Sequence, residues 1–184
     1  MAQNITDIND YIGYTALAPS PLANDPSFGN FVFDIEKRIL RGDGYTDCGL
    51  LGDQVYIALL ADLDADNNPQ TQKYIDLING VNYLDSNGQI TIFSGIKKML
   101  TLFVYSEYIK NNAYQQTIAG TVQPEIINSI IAERKELDHR AHQRWNNGVT
   151  MYNGEVYDYI LNYQSNFTNW SFTRQYNFIT KGIV

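Results

Sequence analysis

From Ile130 to Tyr163 the chain repeats a helical period. Ile130, Arg134, Leu137, Ala141, Trp145, Gly148, Tyr152, Val156, Tyr159 and Tyr163 follow one another at three- and four-residue steps. Residues so spaced share one face of an α-helix. Pro124 suits the first turn of such a helix. Unbroken, the element would run roughly 40 residues and ~60 Å at 1.5 Å per residue. A chain of 184 residues makes about one domain, and the rest of one small domain cannot bury so long a rod. Part of it is therefore expected to meet a partner chain. Asn146-Asn147-Gly148 is the point at which it would kink.

The remaining elements follow from shorter patterns. Residues 1–30 carry Pro19, Pro21 and Pro26 among Ser, Ala, Asn and Asp, and read as an extended arm with one helical turn near Ile5–Ile12. Residues 31–40 fit a strand or a short helix. Leu51, Val55, Leu59 and Leu63 recur every four residues and predict an amphipathic helix over Leu50–Leu63. Pro69 fits the first turn of a second helix carrying Tyr74, Leu77, Ile78 and Val81 inward. Val81–Asp85 and Gln89–Phe93 flank Ser86-Asn87-Gly88, a hairpin signal, because Asn-Gly accepts the positive φ of tight turns. Ser94 is placed to cap a third helix reaching about Asn112. Ile96, Leu100, Phe103 and Val104 line it, and Leu102 and Ile109 widen the apolar surface, which marks the central helix of a bundle. Residues 113–123 are a loop or short strand. Residues 165–184 alternate polar and aromatic groups without a helical period and read as an extended tail that pairs with a neighbour.

The fold class expected is mainly α: a bundle of about four helices with one long C-terminal helix, a β-hairpin near 81–93, and extended N- and C-terminal arms. The helical domain spans 31–164, with arms at 1–30 and 165–184.

Charge and cysteine usage exclude several functions. The formal charge is −7, which disfavours coating nucleic acid or an anionic membrane, since phosphate neutralisation needs clustered Lys and Arg. Cys48 is the only cysteine, so no intrachain disulfide forms. MAQNITDINDYIGY lacks a basic region followed by an apolar run, and no apolar stretch approaches the ~20 residues that span a bilayer. A soluble intracellular protein is expected. The 14 tyrosines suit surfaces buried on assembly, because the ring is apolar and its tip polar, but they suit a tyrosine-rich core equally.

Candidate chemistry is fragmentary. Asp62-x-Asp64-x-Asp66-Asn67-Asn68 has the spacing that opens a calcium loop, but the sixth and twelfth places hold Asn67 and Lys73 where Gly and Glu are needed. A solvated turn is the simpler reading. Glu136-x-x-His139 has the spacing of a di-iron pair, yet such bundles need two pairs and two further glutamates. Only His142 and Glu107 are on offer. Cys48 sits in a glycine-rich turn with no histidine near it in sequence. No phosphate-cradling glycine motif is present. No catalytic, cofactor-binding or metal residue is therefore assigned, and the chain is not expected to be an enzyme.

The order of elements resembles a known family. An arm precedes LLGDQVYIALLADL, a hairpin leads into GIKKMLTLFVYSEYIKNN, a TIAGTV segment follows, and a long helix contains RWNNGVTMYNGEVYDYI. Over about residues 31–164 this is similar to the head-to-tail connector (adaptor) proteins of tailed bacteriophages. Their central helix precedes a Thr/Gly-rich loop and a long helix with an N-x-G-x-x-x-Y stretch, here Asn146, Gly148 and Tyr152. The resemblance implies a structural virion protein at the head–tail junction, assembled in the host cytoplasm. It implies a homo-oligomeric ring, usually of twelve subunits, docked under the portal protein. Such a ring prolongs the DNA channel and receives the tail or a further adaptor. It implies no catalytic residues.

Two alternatives remain: a small metal- or thiol-dependent enzyme, and a monomeric or dimeric protein-binding adaptor. On the assembly reading, Trp170, Phe172 and Tyr176 are the expected interface anchors, because aromatic anchors dominate interface energetics. Asp43, Asp47, Asp53, Asp62, Asp64 and Asp66 crowd one segment, whereas basic residues concentrate at Lys97-Lys98 and Arg134-Lys135. An acidic surface, from these loops or the hairpin tip at Asp85, is expected to face passing DNA without binding it tightly. Solubility alone would explain the acidity equally well.

Overall fold

The computed structural model describes residues 4–6, 8–11, 26–42, 49–112, 115–117, 120–122 and 134–170. It is mainly α. Helix α1 (Pro26–Arg41), α2 (Gly52–Ala61) and α3 (Gln72–Asn79) are followed by a hairpin of β1 (Val81–Leu84) and β2 (Ile90–Phe93). Then come α4 (Ile96–Asn112), a short antiparallel pair β3 (Gln115–Thr117) and β4 (Gly120–Val122), and the long helix α5. α5 runs Arg134–Met151, passes through a π-helical turn at Tyr152–Val156, and continues as Tyr157–Asn162.

α4 is the hub, packing against α1, α3 and α5. Ile96, Met99, Leu100, Leu102, Phe103 and Val104 are all buried, so the wide apolar surface predicted for this helix is covered nearly all round, as a central helix requires. Where α4 meets α5, the Phe103 ring stands edge-on to Trp145 with centroids 4.8 Å apart. A Cβ added at Gly148 would lie 2.9 Å from that same ring. Gly148 is therefore not a kink. The helix passes through it unbroken, and its missing side chain lets α5 approach the Phe103 ring. The irregularity comes four residues later, at the π-helical turn. A π turn holds an extra residue, and the face beyond it still buries Tyr152, Val156, Tyr159 and Ile160.

The described part of α5 is roughly 40 Å long at 1.5 Å per residue; residues 123–133, where the helix was to begin, lie outside the described residues. α4 covers its first part and the hairpin part of its second, so the chain itself buries more of this helix than the sequence implied.

The arms also differ from expectation. Residues 26–30 belong to α1, opened by Pro26 in the position where proline costs least. The described N-terminal stretch is folded onto the chain: Ile5, Thr6 and Tyr11 are buried, and a 3₁₀ turn spans Ile8–Tyr11. Lys97 on α4 pairs with Asp10 at 3.1 Å. The C-terminal stretch continues through a second 3₁₀ turn, Gln164–Asn166, to Phe167 and Trp170, both buried.

The link between α2 and α3 explains a late helix start. Pro69 does not open α3 but pairs with Leu63 in an isolated bridge. Asp62 accepts hydrogen bonds from the Gln70 and Thr71 backbone and from the Thr71 hydroxyl, and Asp64 accepts from the Asp66 and Asn68 backbone. These bonds tie residues 62–71 into a closed loop, and α3 begins only at Gln72.

Candidate assembly surface

The hairpin is built so that one face packs and the other does not. Its register pairs Val81 with Phe93, Asn82 with Ile92, Tyr83 with Thr91 and Leu84 with Ile90. Alternation sends Tyr83 and Phe93 inward. There Phe93 stacks on Tyr159 at 4.2 Å, and Tyr83 meets Tyr159 and Tyr163 edge-on at 5.4 and 5.8 Å. Burial pushes the Tyr159 and Tyr83 phenols above their ordinary pKa, with nearby carboxylates adding to it.

The base of the hairpin is closed by two glycines. Gly80 and Gly95 both take positive φ, +88° and +83°, and a Cβ on either would fall within 2.4 Å of the opposite backbone. At the tip, Asp85 accepts hydrogen bonds from the Asn87 and Gln89 backbone. Gly88 takes φ +77° there, while Asn87 does not take positive φ.

The outward face carries Leu84 (59 % exposed), Ile90 (77 %) and Ile92 (69 %), with Leu161 of α5 (49 %) not far off in the fold. Three large aliphatic side chains on one face of four-residue strands are not demanded by the fold, since the core is sealed by the other face. Contiguous exposed apolar groups of this kind mark interaction sites. Each is worth ~1–2 kcal/mol when removed from water, before association costs are met. Beside the tip, between the hairpin and α5, opens a cleft of about 310 Å³ lined by Tyr83, Asp85, Asp158, Leu161 and Asn162, among others, with two carboxylates and no cationic side chain.

The anchors chosen from the sequence fall elsewhere. Trp170 is buried within its own chain. Its ring stands edge-on to Tyr157 at 5.2 Å, and its indole N–H donates to the Leu50 carbonyl at 3.2 Å, an acceptor shared with the Tyr152 hydroxyl at 3.3 Å. It is a core residue, not an exposed anchor. Phe172 and Tyr176 lie outside the described residues. Tyr11, Tyr56, Tyr74, Tyr83, Tyr152 and Tyr159 are likewise buried in the core, so for these the tyrosine richness serves packing.

The chemical candidates are also placed. Glu107 is engaged with Arg38 and Lys110, each at 3.2 Å, and His139 is exposed. Desolvation pushes the Asp62 carboxyl up, but its hydrogen bonds from Thr71 and Gln70 outweigh this and hold it below the usual carboxylate range. Its oxygens, like those of Asp64, are engaged in the loop. Among the described residues no group of three or more His, Cys, Asp or Glu side chains is arranged to hold a metal ion, and no helix is long and apolar enough to cross a membrane. Cys48, Asp43 and Asp47 lie outside the described residues.

Glu36 is a residue the sequence reading passed over. It is buried on α1, and its carboxylate receives the backbone N–H groups of Ile5 and Thr6, both at 2.8 Å, and the Thr6 hydroxyl, which also meets the Tyr11 hydroxyl at 2.7 Å. One carboxylate thus holds the N-terminal stretch. Burial raises its pKa from 4.5 to about 7 against the opposing pull of those hydrogen bonds, with Asp10 adding to the rise. A raised pKa means that the folded state holds the proton more tightly than the unfolded one. The resulting stabilisation is complete below pH 4.5 and is lost as pH climbs through about 7. Comparing urea denaturation of the wild type with Glu36→Gln should isolate it. Between pH 4.5 and 7 the wild type should lose on the order of 2–3 kcal/mol relative to the variant. Parallel pH profiles would show that this carboxyl does not titrate there.

A family model described as a family of unknown function (DUF6712) matches residues 49–179, more than half of the chain. The match takes in α2 through α5 and therefore the hairpin. No curated protein and no solved structure matches the chain.

Proposed function

We propose that this chain, which belongs to the family of unknown function DUF6712, is a structural virion protein. Copies of it form an oligomeric ring below the portal of a tailed bacteriophage, a head-to-tail connector that prolongs the DNA channel and docks the tail. The observation that carries this reading is the exposed aliphatic face of the hairpin, Leu84, Ile90 and Ile92, which sealing the monomer's own core does not require. The element order supports it as well. Helix, hairpin, hub helix and long helix follow in the order that the resemblance to connector proteins implies, with the short β3–β4 pair where that family has a Thr/Gly-rich loop.

The net charge of −7 suits a wall along which DNA slides, because many Lys and Arg contacts would hold phosphates tightly. The partners proposed are further copies of this chain, the portal protein, and a tail or adaptor protein.

The arrangement of genes tests the reading cheaply. The gene for this chain is expected beside genes for portal and capsid proteins. A consistent place in a metabolic operon, with no virion genes nearby, would contradict it.

A further inference from the structure

The hydrogen bonds on the Glu36 carboxyl come from the stretch it holds. The Ile5 and Thr6 N–H groups and the Thr6 hydroxyl donate to it, and the Thr6 hydroxyl also meets that of Tyr11. Around this clasp Ile5, Thr6 and Tyr11 are buried. Asn4 donates to the Gly29 carbonyl of α1 at 3.1 Å, and Asp10 reaches Lys97 of α4 at 3.1 Å. The N-terminal stretch therefore lies across two helices as a strap.

Closing the strap has two polar costs. Asn4 Oδ1 is buried with no hydrogen-bond partner among the described residues, and opening returns it to water. The second cost depends on charge. Lifting the strap takes all three donors away from Glu36 and gives the carboxyl water instead. For the neutral acid this exchange gains little, and the burial of Ile5 and Tyr11 is lost with it. For the anion it restores the hydration that burial denies.

The neighbouring charges act in the same place. Asp10 is carried on the strap and repels the Glu36 anion, so lifting also relieves that repulsion. Lys97 opposes lifting through its ion pair with Asp10. Tyr56 of α2 stays neutral, its phenol pushed up to about 12 by burial first and by Glu36 second, with Arg41 of α1 pulling the other way. The rest of the bundle does not depend on the strap: α4 packs on α3 and α5, and the hairpin packs on α5.

We propose that residues 4–6 and 8–11 form a releasable strap, which lifts from α1 and α4 when Glu36 ionises while the bundle beneath stays folded. The strap thereby uncovers part of both helices on the alkaline side only. This device is independent of the ring reading.

Amide hydrogen exchange in the full-length wild type, followed by NMR and corrected for the intrinsic rate at each pH, tests it. Burial raises the Glu36 pKa, so the closed strap is favoured most below pH 4.5 and loses that advantage as pH climbs to about 7. Across this interval the Ile5 and Thr6 amides should lose protection by about tenfold per pH unit, the slope of one released proton. At every pH they should be about a hundredfold or more less protected than Leu100 and Phe103 in α4, because opening a chain end costs less than unfolding the bundle. Glu36→Gln keeps an acceptor oxygen and cannot ionise, so there the protection of Ile5 and Thr6 should stay level with pH. Equal protection at Ile5, Thr6, Leu100 and Phe103 in the wild type would show that the strap opens only with the whole fold, which overturns the proposal without recourse to a variant. A pH slope that persists in Glu36→Gln overturns it too, as does a lack of protection at Ile5 and Thr6 at pH 4.5.

Discussion

Trp170→Ala is expected to destabilise the folded subunit by about 3–5 kcal/mol, the range for removing a buried tryptophan from a well-packed site. The indole is enclosed, stands edge-on to Tyr157, and donates to the Leu50 carbonyl just before α2. It therefore ties the end of the described chain to the second helix and to the π-helical turn of α5, whose Tyr152 donates to the same carbonyl. Alanine leaves a cavity among these groups. Trp170→Phe keeps most of the packing and gives up one hydrogen bond, a loss of about 1 kcal/mol, because Tyr152 still satisfies the Leu50 oxygen. Urea denaturation of the three proteins separates the two contributions. Against a total stability of about 5–15 kcal/mol for a domain, the alanine variant loses a large share. A loss below about 1 kcal/mol would show that Trp170 is not part of the core.

The placement of Trp170 also changes how assembly is to be probed. A truncation at residue 165 would remove Phe167 and Trp170, both buried, so any failure to assemble would reflect lost folding.

Much of the fold was legible because its signals are local. Asn87-Gly88 announced the hairpin, while the assignment of Tyr83 and Phe93 to one face and Leu84, Ile90 and Ile92 to the other comes from its register and burial. The central position of α4 followed from apolar residues on nearly all its sides. What misled were features whose meaning depends on a partner distant in sequence. Gly148 reads as a helix breaker until Phe103 is seen against it. Trp170 sits in a stretch without helical period, which reads as an exposed strand, yet a short 3₁₀ turn returns it to Leu50. Glu36 did leave a trace: it lies four residues after Val32 and four before Leu40, on the face that α1 buries. A charged residue at that spacing signals a buried carboxylate, and only the fold supplies Ile5 and Thr6 as its donors.

The candidate surface was less legible than the fold. Exposed aliphatic residues in the hairpin look from sequence like one more strand of a core, since half-buried strands carry the same residue types. Only the packing of Phe93 and Tyr83 on α5 shows which face is already used. The described part of the long helix, which the sequence gives as one reason to expect a partner chain, packs one face against α4 and the hairpin. The case for assembly therefore moves to the hairpin's outer face.

On that face the central claim stands or falls. Three aliphatic side chains leaving water would contribute ~1–2 kcal/mol each toward association, and in the proposed ring each contact would be multiplied, since every subunit would be held by two neighbours. The resemblance to connector proteins implies a closed particle of about twelve copies, not an open-ended series. The direct measurement is the mass of the purified, full-length protein in solution, by sedimentation velocity or native mass spectrometry, at physiological salt and over a range of concentrations. The account predicts one discrete species near twelve times the 21.0 kDa subunit, reached without intermediate sizes dominating. A species of 21.0 kDa that persists at the highest concentrations tested would contradict it.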